Sequence, residues 1–331
     1  MEKALAEIVI TGVAGFIGSS IARSLIEAGE NQIVGIDCFT NYYDTAIKLA
    51  NVRALTKMGG DFKFLDADLT KHDLSTVISG DTETVFHQAG QPGVRKSWGT
   101  EFNSYLTNNI LATQRLLECC RNLPNLTRFI YASSSSVYGN AEKYPTRETD
   151  LPVPRSPYGV TKLAAEHLCS LYALNFQVPT VSLRYFTVYG PGQRPDMAFT
   201  RFCHAARNDQ TITLYGDGTQ IRDFTFIDDV VRANILCMKT REITPGEVMN
   251  ISGGSNISVN EALEVIQAIS SRRLKVNRIA TAPGDVVRTG GLSEVARERL
   301  GWKPMTRIED GLRLQLEWVS KTTLRQEDLV N

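Results

Sequence analysis

The chain has 331 residues, 42% hydrophobic and 22% charged, with 36 basic and 36 acidic side chains and no formal net charge. That length exceeds one average domain and that apolar share fills a sizeable core, which excludes wholesale disorder and disulfide-stapled miniproteins. Zero net charge offers no concentrated positive face for duplex DNA or RNA, although a local basic pocket for a small anion stays open, so a small-molecule partner is expected rather than nucleic acid.

Residues 1–7 carry acid where a signal peptide would have a basic start and a long apolar stretch. Residues 8–11 read as an apolar strand; after the glycines that follow, Ile17, Ile21, Ala22 and Leu25 recur at helical spacing up to Gly29. Further strands are expected at 32–37, 62–65, 84–87, 128–133 and 179–184. The longest helices are expected at 106–121 and 158–175, the second with Ser156 as N-cap and Pro157 at its first position. Strand and helix alternating in this way predict an α/β fold with a doubly wound parallel sheet. Beyond Tyr189 the breakers Gly190, Pro191, Gly192 and Pro195 end the regular period, and a smaller mixed lobe is expected there, packed against the first with a cleft between them. The tail after Lys321 is polar and is expected to be loosely held.

The six cysteines and four histidines show no CxxC pair and no ligand rhythm, so no metal site is expected. No apolar run reaches the ~18–20 residues of a membrane span. Together these predict a soluble protein of the reducing cytoplasm with no membrane partner.

Gly12, Gly15 and Gly18 stand three apart between a strand and a helix, where glycine lets a pyrophosphate approach the backbone and the helix N-terminus offers free N–H groups. Asp37 ends the second strand ~20 residues later, where a carboxylate accepts the ribose hydroxyls and repels a 2′-phosphate, favouring NAD over NADP. Asp68 and Leu69 close the third strand, placed to hold adenine. Tyr158 and Lys162, four apart, share one helix face. An ammonium beside a phenol stabilises the phenolate, giving a proton acceptor near neutral pH. Ser133 to Ser136 end the fifth strand, at the sheet edge where ligands bind. Each feature has a plainer alternative: a packing turn, a strand-end aspartate, a solvated helix face.

Jointly Gly12-x-x-Gly15-x-x-Gly18, Asp37, residues 132–139 (ASSSSVYG) and Tyr158-x-x-x-Lys162 resemble the extended short-chain dehydrogenase/reductase superfamily, specifically its nucleotide-sugar epimerases and dehydratases. The resemblance continues through 184–190 (RYFTVYG) and 216–230 (GDGTQIRDFTFIDDV). Residues 91–97 (QPGVRKS) and 194–198 (RPDMA) are most similar to the UDP-glucuronate 4-epimerases. It implies an NAD-binding Rossmann domain of residues 1–185, with 224–250 returning to it, and a mainly UDP-sugar-binding lobe in 186–331. It implies Ser134, Tyr158 and Lys162 as catalytic residues, with Phe16, Ile17, Gln88, Ala89, Gly90 and Asn109 beside NAD in addition to the glycines, Asp37, Asp68 and Leu69. Ser135 and Ser136 would face the sugar, Thr187 and Arg194 a uronate carboxylate, Tyr215 the uracil and Arg222 the pyrophosphate; Arg95 and Arg288 are further candidates for the substrate. A homodimer through the two long helices is also implied.

UDP-glucuronate decarboxylases commonly have glutamate where this chain has Ser136, which favours epimerisation, yet both reactions share a 4-keto intermediate. A decarboxylase therefore remains the near alternative. A neutral-sugar epimerase is opposed by Thr187, which is asparagine in many such relatives, and by Arg194. An NAD-binding scaffold protein is opposed by the intact Ser134, Tyr158 and Lys162.

Overall fold

The computed structural model describes residues 7–30, 32–281, 284–322 and 329. Pro283, the first six residues and most of the polar tail lie outside them.

The apolar runs form seven parallel strands. In chain order the first elements are β1 (Glu7–Thr11), α1 (Phe16–Glu27), β2 (Ile33–Asp37), α2 (Thr45–Lys57), β3 (Phe62–Asp66) and β4 (Thr82–His87). After β4 come α3 (Phe102–Tyr105), a wide π-helical turn (Leu106–Leu111), α4 (Ala112–Cys120), β5 (Arg128–Ser134), α5 (Pro157–Phe176) and β6 (Thr180–Tyr185). The sheet order is β11-β6-β5-β4-β1-β2-β3, where β11 is Glu247–Ile251, reached after further elements named below. Alternate residues face opposite layers: Ile8, Ile10 and Ile130 pack with Ile21 and Leu25 of α1, whereas Val9, Phe129 and Tyr131 pack with Leu116, Ala165 and Cys169. Both faces are covered, as a parallel sheet requires.

Most strand ends shift by only a residue or two, and two differences bear on the site. Strand β5 runs one residue further, through Ser134, and the helix expected at 106–121 starts at Phe102 and widens at Leu106–Leu111. The widened turn keeps Asn109 inward, 1% exposed, where its amide bonds the Gln91 backbone: Gln91 N–H donates to Oδ1 at 2.6 Å and Nδ2 donates to Gln91 O at 3.1 Å. Such turns recur at functional sites. Helix α5 begins as expected, its Ser156 hydroxyl accepting the Gly159 N–H at 3.1 Å and Pro157 in the first turn.

After β6 follow β7 (Thr187–Tyr189), α6 (Ala198–Asn208), β8 (Thr211–Tyr215), β9 (Ile221–Arg222), β10 (Phe224–Phe226) and α7 (Ile227–Lys239). Then come β11, β12 (Ile257–Ser258), α8 (Val259–Ser270), β13 (Lys275–Ile279), α9 (Glu294–Leu300) and α10 (Ile308–Lys321). Strand β7 pairs with β10, β8 with β13 and β9 with β12, while α6, α8 and α10 pack on one another. Helix α7 packs on α1, and β11 extends the main sheet beyond β6.

From β1 the strand order runs through β2 and β3 to one side and through β4, β5 and β6 to the other, so a crevice opens between the β1 and β4 ends. Its floor tolerates no side chain: a methyl on Gly12 would lie 2.6 Å from Ala89 N, and one on Gly18 2.3 Å from Gly12 O. Gly12 also has φ +70°. Gly18→Ala is therefore expected to cost about 1–3 kcal/mol by overpacking against backbone, measured by denaturant unfolding. Unchanged stability would show that the turn can yield.

Candidate active site

The ends of β1 to β6 and the loops after them enclose a cavity of about 390 Å³. Gly12, Gly15, Phe16, Ile17 and Gly18 line one end with Asp37, Asp68, Leu69, Gln88, Ala89 and Gly90; Ser134, Ser135, Ser136, Tyr158, Lys162, Thr187 and Arg194 line the other. Gly15 caps α1 without a side chain, leaving the first-turn N–H groups open to the cavity. The Asp37 carboxylate spans the turn, accepting Ala14 N–H at 3.1 Å and Phe39 N–H at 2.9 Å. Each oxygen keeps a lone pair for a further donor. Asn109 stands one layer behind, holding the Gly90–Gln91 loop instead of lining the cavity.

Tyr158 and Lys162 project from the first turns of α5 toward the end of β5. Tyr158 meets the Tyr105 ring edge-on at 6.2 Å, and Lys162 Nζ lies 4.7 Å from the centroid of the Tyr131 ring. Burial raises the Tyr158 phenol, while a hydrogen bond with Ser134 and the charge of Arg194 pull it down. Sequence spacing named only Lys162 for that help and did not foresee Arg194. Burial lowers Lys162 to about 8, offset in part by Cys169 and Glu166. Ser134 also accepts the Ser136 N–H at 3.1 Å, which fixes its hydroxyl at the strand end.

The expected free guanidinium fork on Arg194 is half used. Nε donates to Asp196 Oδ1 at 2.9 Å and Nη2 to Oδ2 at 2.8 Å, so one edge is committed within the chain. Three N–H donors remain, both on Nη1 and one on Nη2, which is enough to receive a second carboxylate end-on. Burial works against the Arg194 charge, but Asp196 holds it firmly protonated. Tyr42 stands 5.5 Å from the guanidinium, and Tyr42 and Tyr43 line the cavity between its two ends. Sequence reasoning missed both; the signal was an aromatic pair just past the Asp37 strand end.

Arg95, Tyr215, Arg222 and Arg288 do not line this cavity. The first three gather beyond it. Arg95 lies flat over Tyr215, 3.8 Å from the ring centroid, and donates to Asp285 at 3.1 Å. Burial lowers Arg222, with Asp285 opposing and Arg95 reinforcing that shift, so the three charges are neighbours. Arg201 on α6 joins them, lowered by burial and by Arg95. Several guanidinium groups around one Asp285 leave excess positive charge suited to an anion. Arg201 was not foreseen, because an arginine on an amphipathic helix reads as a solvated face. Arg288 stacks at 5.1 Å over Tyr144, its Nε buried without a partner.

A family model described as the NAD dependent epimerase/dehydratase family matches residues 8–252. The chain belongs to the NAD-dependent epimerase/dehydratase family. A Bacillus subtilis protein named as an uncharacterized UDP-glucose epimerase, YtcB, is 39% identical over 95% of this chain and 98% of its own length. The UDP-glucuronate 4-epimerase of Thermodesulfobacterium geofontis is 35% identical, covering 94% and 95%. The UDP-glucuronic acid 4-epimerase of Bacillus cereus, solved with UDP-glucuronic acid and NAD, superposes with a TM-score of 0.91 at 41% identity, covering 95% of this chain and 99% of that one.

For this family member the glycine floor is a direct test of fit: no side chain can occupy Gly12 or Gly18, and the open helix N-terminus suits the pyrophosphate of NAD. Asp37, held in place by two backbone N–H groups at the end of the second strand, keeps the free acceptor lone pairs that a ribose diol would need. Asp37→Ser is expected to narrow the preference for NAD over NADP in a binding titration, since it removes the like charge that opposes a 2′-phosphate. A preference unchanged from wild type would free Asp37 of that role.

Proposed function

We propose that the protein is an NAD-dependent UDP-glucuronate 4-epimerase, forming UDP-galacturonate through a 4-keto sugar. The observation that carries this reading is the meeting, in one cavity, of a Ser134–Tyr158–Lys162 set with Thr187 and an Arg194 that has donors to spare. Bound NAD supplies the hydride acceptor and returns the hydride within the same turnover. Glycines 12, 15 and 18, with Phe16, Ile17, Asp37, Asp68, Leu69, Gln88, Ala89 and Gly90, would hold it; Asn109 acts from behind through the Gln91 backbone.

Tyr158 takes the proton from the sugar 4-hydroxyl and, once the 4-keto sugar has turned over and received the hydride on its other face, returns a proton to the same oxygen. Ser134 hydrogen-bonds the same oxygen, with Ser135 and Ser136 beside it. Lys162 holds the nicotinamide ribose and keeps positive charge under the phenolate. Arg95, Arg201 and Arg222 receive the UDP pyrophosphate, with Tyr215 near the uracil. Thr187 and the free end of Arg194 grip the carboxylate. That grip matters after oxidation, because the 4-keto uronate is a β-keto acid that loses carbon dioxide when its carboxylate turns perpendicular to the ring. Ser136 brings no carboxylate of its own to the sugar, in keeping with retention of all six carbons.

Among the described residues no helix is long and apolar enough to cross a membrane, and all six cysteines are free thiols, which suits the cytoplasm. A homodimer is supported by the apolar side chains exposed along one face of α5, Val160, Leu171 and Leu174.

An NMR time course with UDP-glucuronate tests the reading: UDP-galacturonate is expected, and stoichiometric UDP-xylose or a 4-keto pentose would replace it with decarboxylation. Tyr158→Phe should lower turnover ~10²–10⁴-fold with NAD still bound. Activity within threefold of wild type would remove Tyr158 from the chemistry.

Arg194→Ala should weaken UDP-glucuronate roughly ten- to hundredfold more than UDP-glucose, as expected for a lost charge-assisted bond of ~1.5–3 kcal/mol. Because Arg194 also lowers the Tyr158 pKa, the variant's acid limb should move to higher pH on both sugars. A larger share of its turnover should end in carbon dioxide. Equal loss on both sugars, seen by calorimetric binding, would place Arg194 outside the carboxylate subsite.

A further inference from the structure

Behind the serines lies a buried ion pair for which the reaction, as described, has no use. Glu166 follows Lys162 by one turn of α5, and Arg184 on β6 precedes Thr187 by three residues. Their side chains are 3% and 4% exposed. Arg184 donates from Nε to Glu166 Oε2 at 3.0 Å and from Nη2 to Oε1 at 2.7 Å, and Ser133 Oγ donates to the same Oε2 at 2.6 Å. The other end of Arg184 donates from Nη1 to the Tyr138 hydroxyl at 2.6 Å and to Glu148 O at 3.3 Å. Tyr138 in turn donates to Asn250 Oδ1 at 2.8 Å, and the Asn250 amide reaches Leu292 O at 3.1 Å.

Stability alone does not account for such a pair, since desolvating two charges costs about what their attraction returns and apolar replacements are often as stable. What it does have is position. Ser133 is covalently next to Ser134, Glu166 shares a helix with Tyr158 and Lys162, and Arg184 leads into the strand of Thr187. We propose that Glu166 and Arg184 form a positioning pair that sets the serine strand, the Tyr158–Lys162 helix and the Thr187 segment in one fixed arrangement. This rests on Ser134, Tyr158 and Lys162 being the reacting set.

The pair has a second consequence through charge. The groups facing Lys162 are His87 from β4, the Tyr131 ring from β5, Cys169 and Glu166 on its own helix, and Arg184 behind Glu166. Burial and Lys162 hold His87 neutral, pushed down to about 3. The Glu166 carboxylate therefore helps keep the Lys162 ammonium charged in a dry site. Without it the ammonium deprotonates at lower pH.

Glu166→Gln keeps the volume but removes the charge and turns one of the two acceptor oxygens that receive Arg184 and Ser133 into a donor. In the NAD-loaded protein turning over UDP-glucuronate, kcat should fall roughly 10–100-fold with KM within about threefold, the range seen when supports of reacting groups are lost. The alkaline limb of the kcat profile should move to lower pH, and Glu166→Asp should return it toward wild type. A kcat within threefold and an unmoved limb, with only the melting temperature lowered, would make the pair structural and overturn the proposal. Should Glu166→Gln not fold, Ser133→Ala deletes a single hydroxyl of the network: a drop in kcat of roughly two- to tenfold at constant KM supports the proposal, and an unchanged kcat overturns it. Tyr158→Phe, assayed alongside, separates the two readings. If it stays active, the assignment of the reacting set fails, whatever the Glu166 variants show.

Discussion

Every strand of the main sheet points the same way, and that single constraint places the chemistry. Parallel strands can be joined only by crossovers, so each loop at the carboxyl edge ends where another begins. Gly12, Asp37, Asp68, Gln88, Ser134 and Thr187 are spread over 176 positions of the chain, yet each lies at or just past a strand end on one edge. Between β1 and β4 the strand order parts, and the gap is deep because the floor there is backbone alone. A side chain at Gly12 would strike Ala89 from the neighbouring strand end; with glycine the two chains touch and the cavity reaches down to them.

Charge in and around this cavity is handled locally. Arg194 has Asp196 two residues on, Arg184 has Glu166 on the helix packed beside its strand, and Arg95 has Asp285, 190 positions along the chain. Arg194 and Arg184 are thereby kept charged and oriented where burial works against them. Lys162 is supported less directly, by the face of Tyr131 and the more distant Glu166, and it is the cation whose pKa burial has brought down to about 8. A residue meant to trade a proton nearby gains from such softness; a residue meant to hold a carboxylate through the whole cycle gains from a firm partner.

Much of this was legible in the sequence, and the reasons are physical. Strand positions were marked by short β-branched runs, the turn by glycines three apart, and the start of α5 by Ser156 and Pro157, all features acting over a few residues. What escaped depended on contacts made at long range or on backbone detail. The π-helical turn that turns Asn109 inward has no residue signature; its sequence reads as ordinary helix. Glu166 and Arg184 are 18 positions apart on different elements, so nothing in either neighbourhood announces the fork. Arg201 joins Arg95 and Tyr215 only because α6 folds beside them. Asp196 stood in plain view two residues from Arg194, but a carboxylate that close was as readily a turn residue as a clamp.

The Asp196 clamp bears on how one cavity can favour one fate of a shared intermediate. Oxidation at C4 creates a ketone β to the carboxylate whatever the final product, so the residues around Tyr158 do not choose between epimer and carbon dioxide. The choice lies in a torsion, the angle between carboxylate and ring. A free arginine would follow the carboxylate through that rotation, since its side chain has several soft dihedrals. Arg194 is anchored along its Nε–Nη2 edge by two bonds to Asp196, and its remaining donors lie in one fixed plane. A carboxylate engaged end-on by that plane, with the Thr187 hydroxyl beside it, loses hydrogen bonds as it turns toward the geometry from which carbon dioxide leaves. On the proposed function, retention of the carboxylate then rests on a pair of residues that never touch the scissile bond, and rigidity in Arg194 matters as much as its charge.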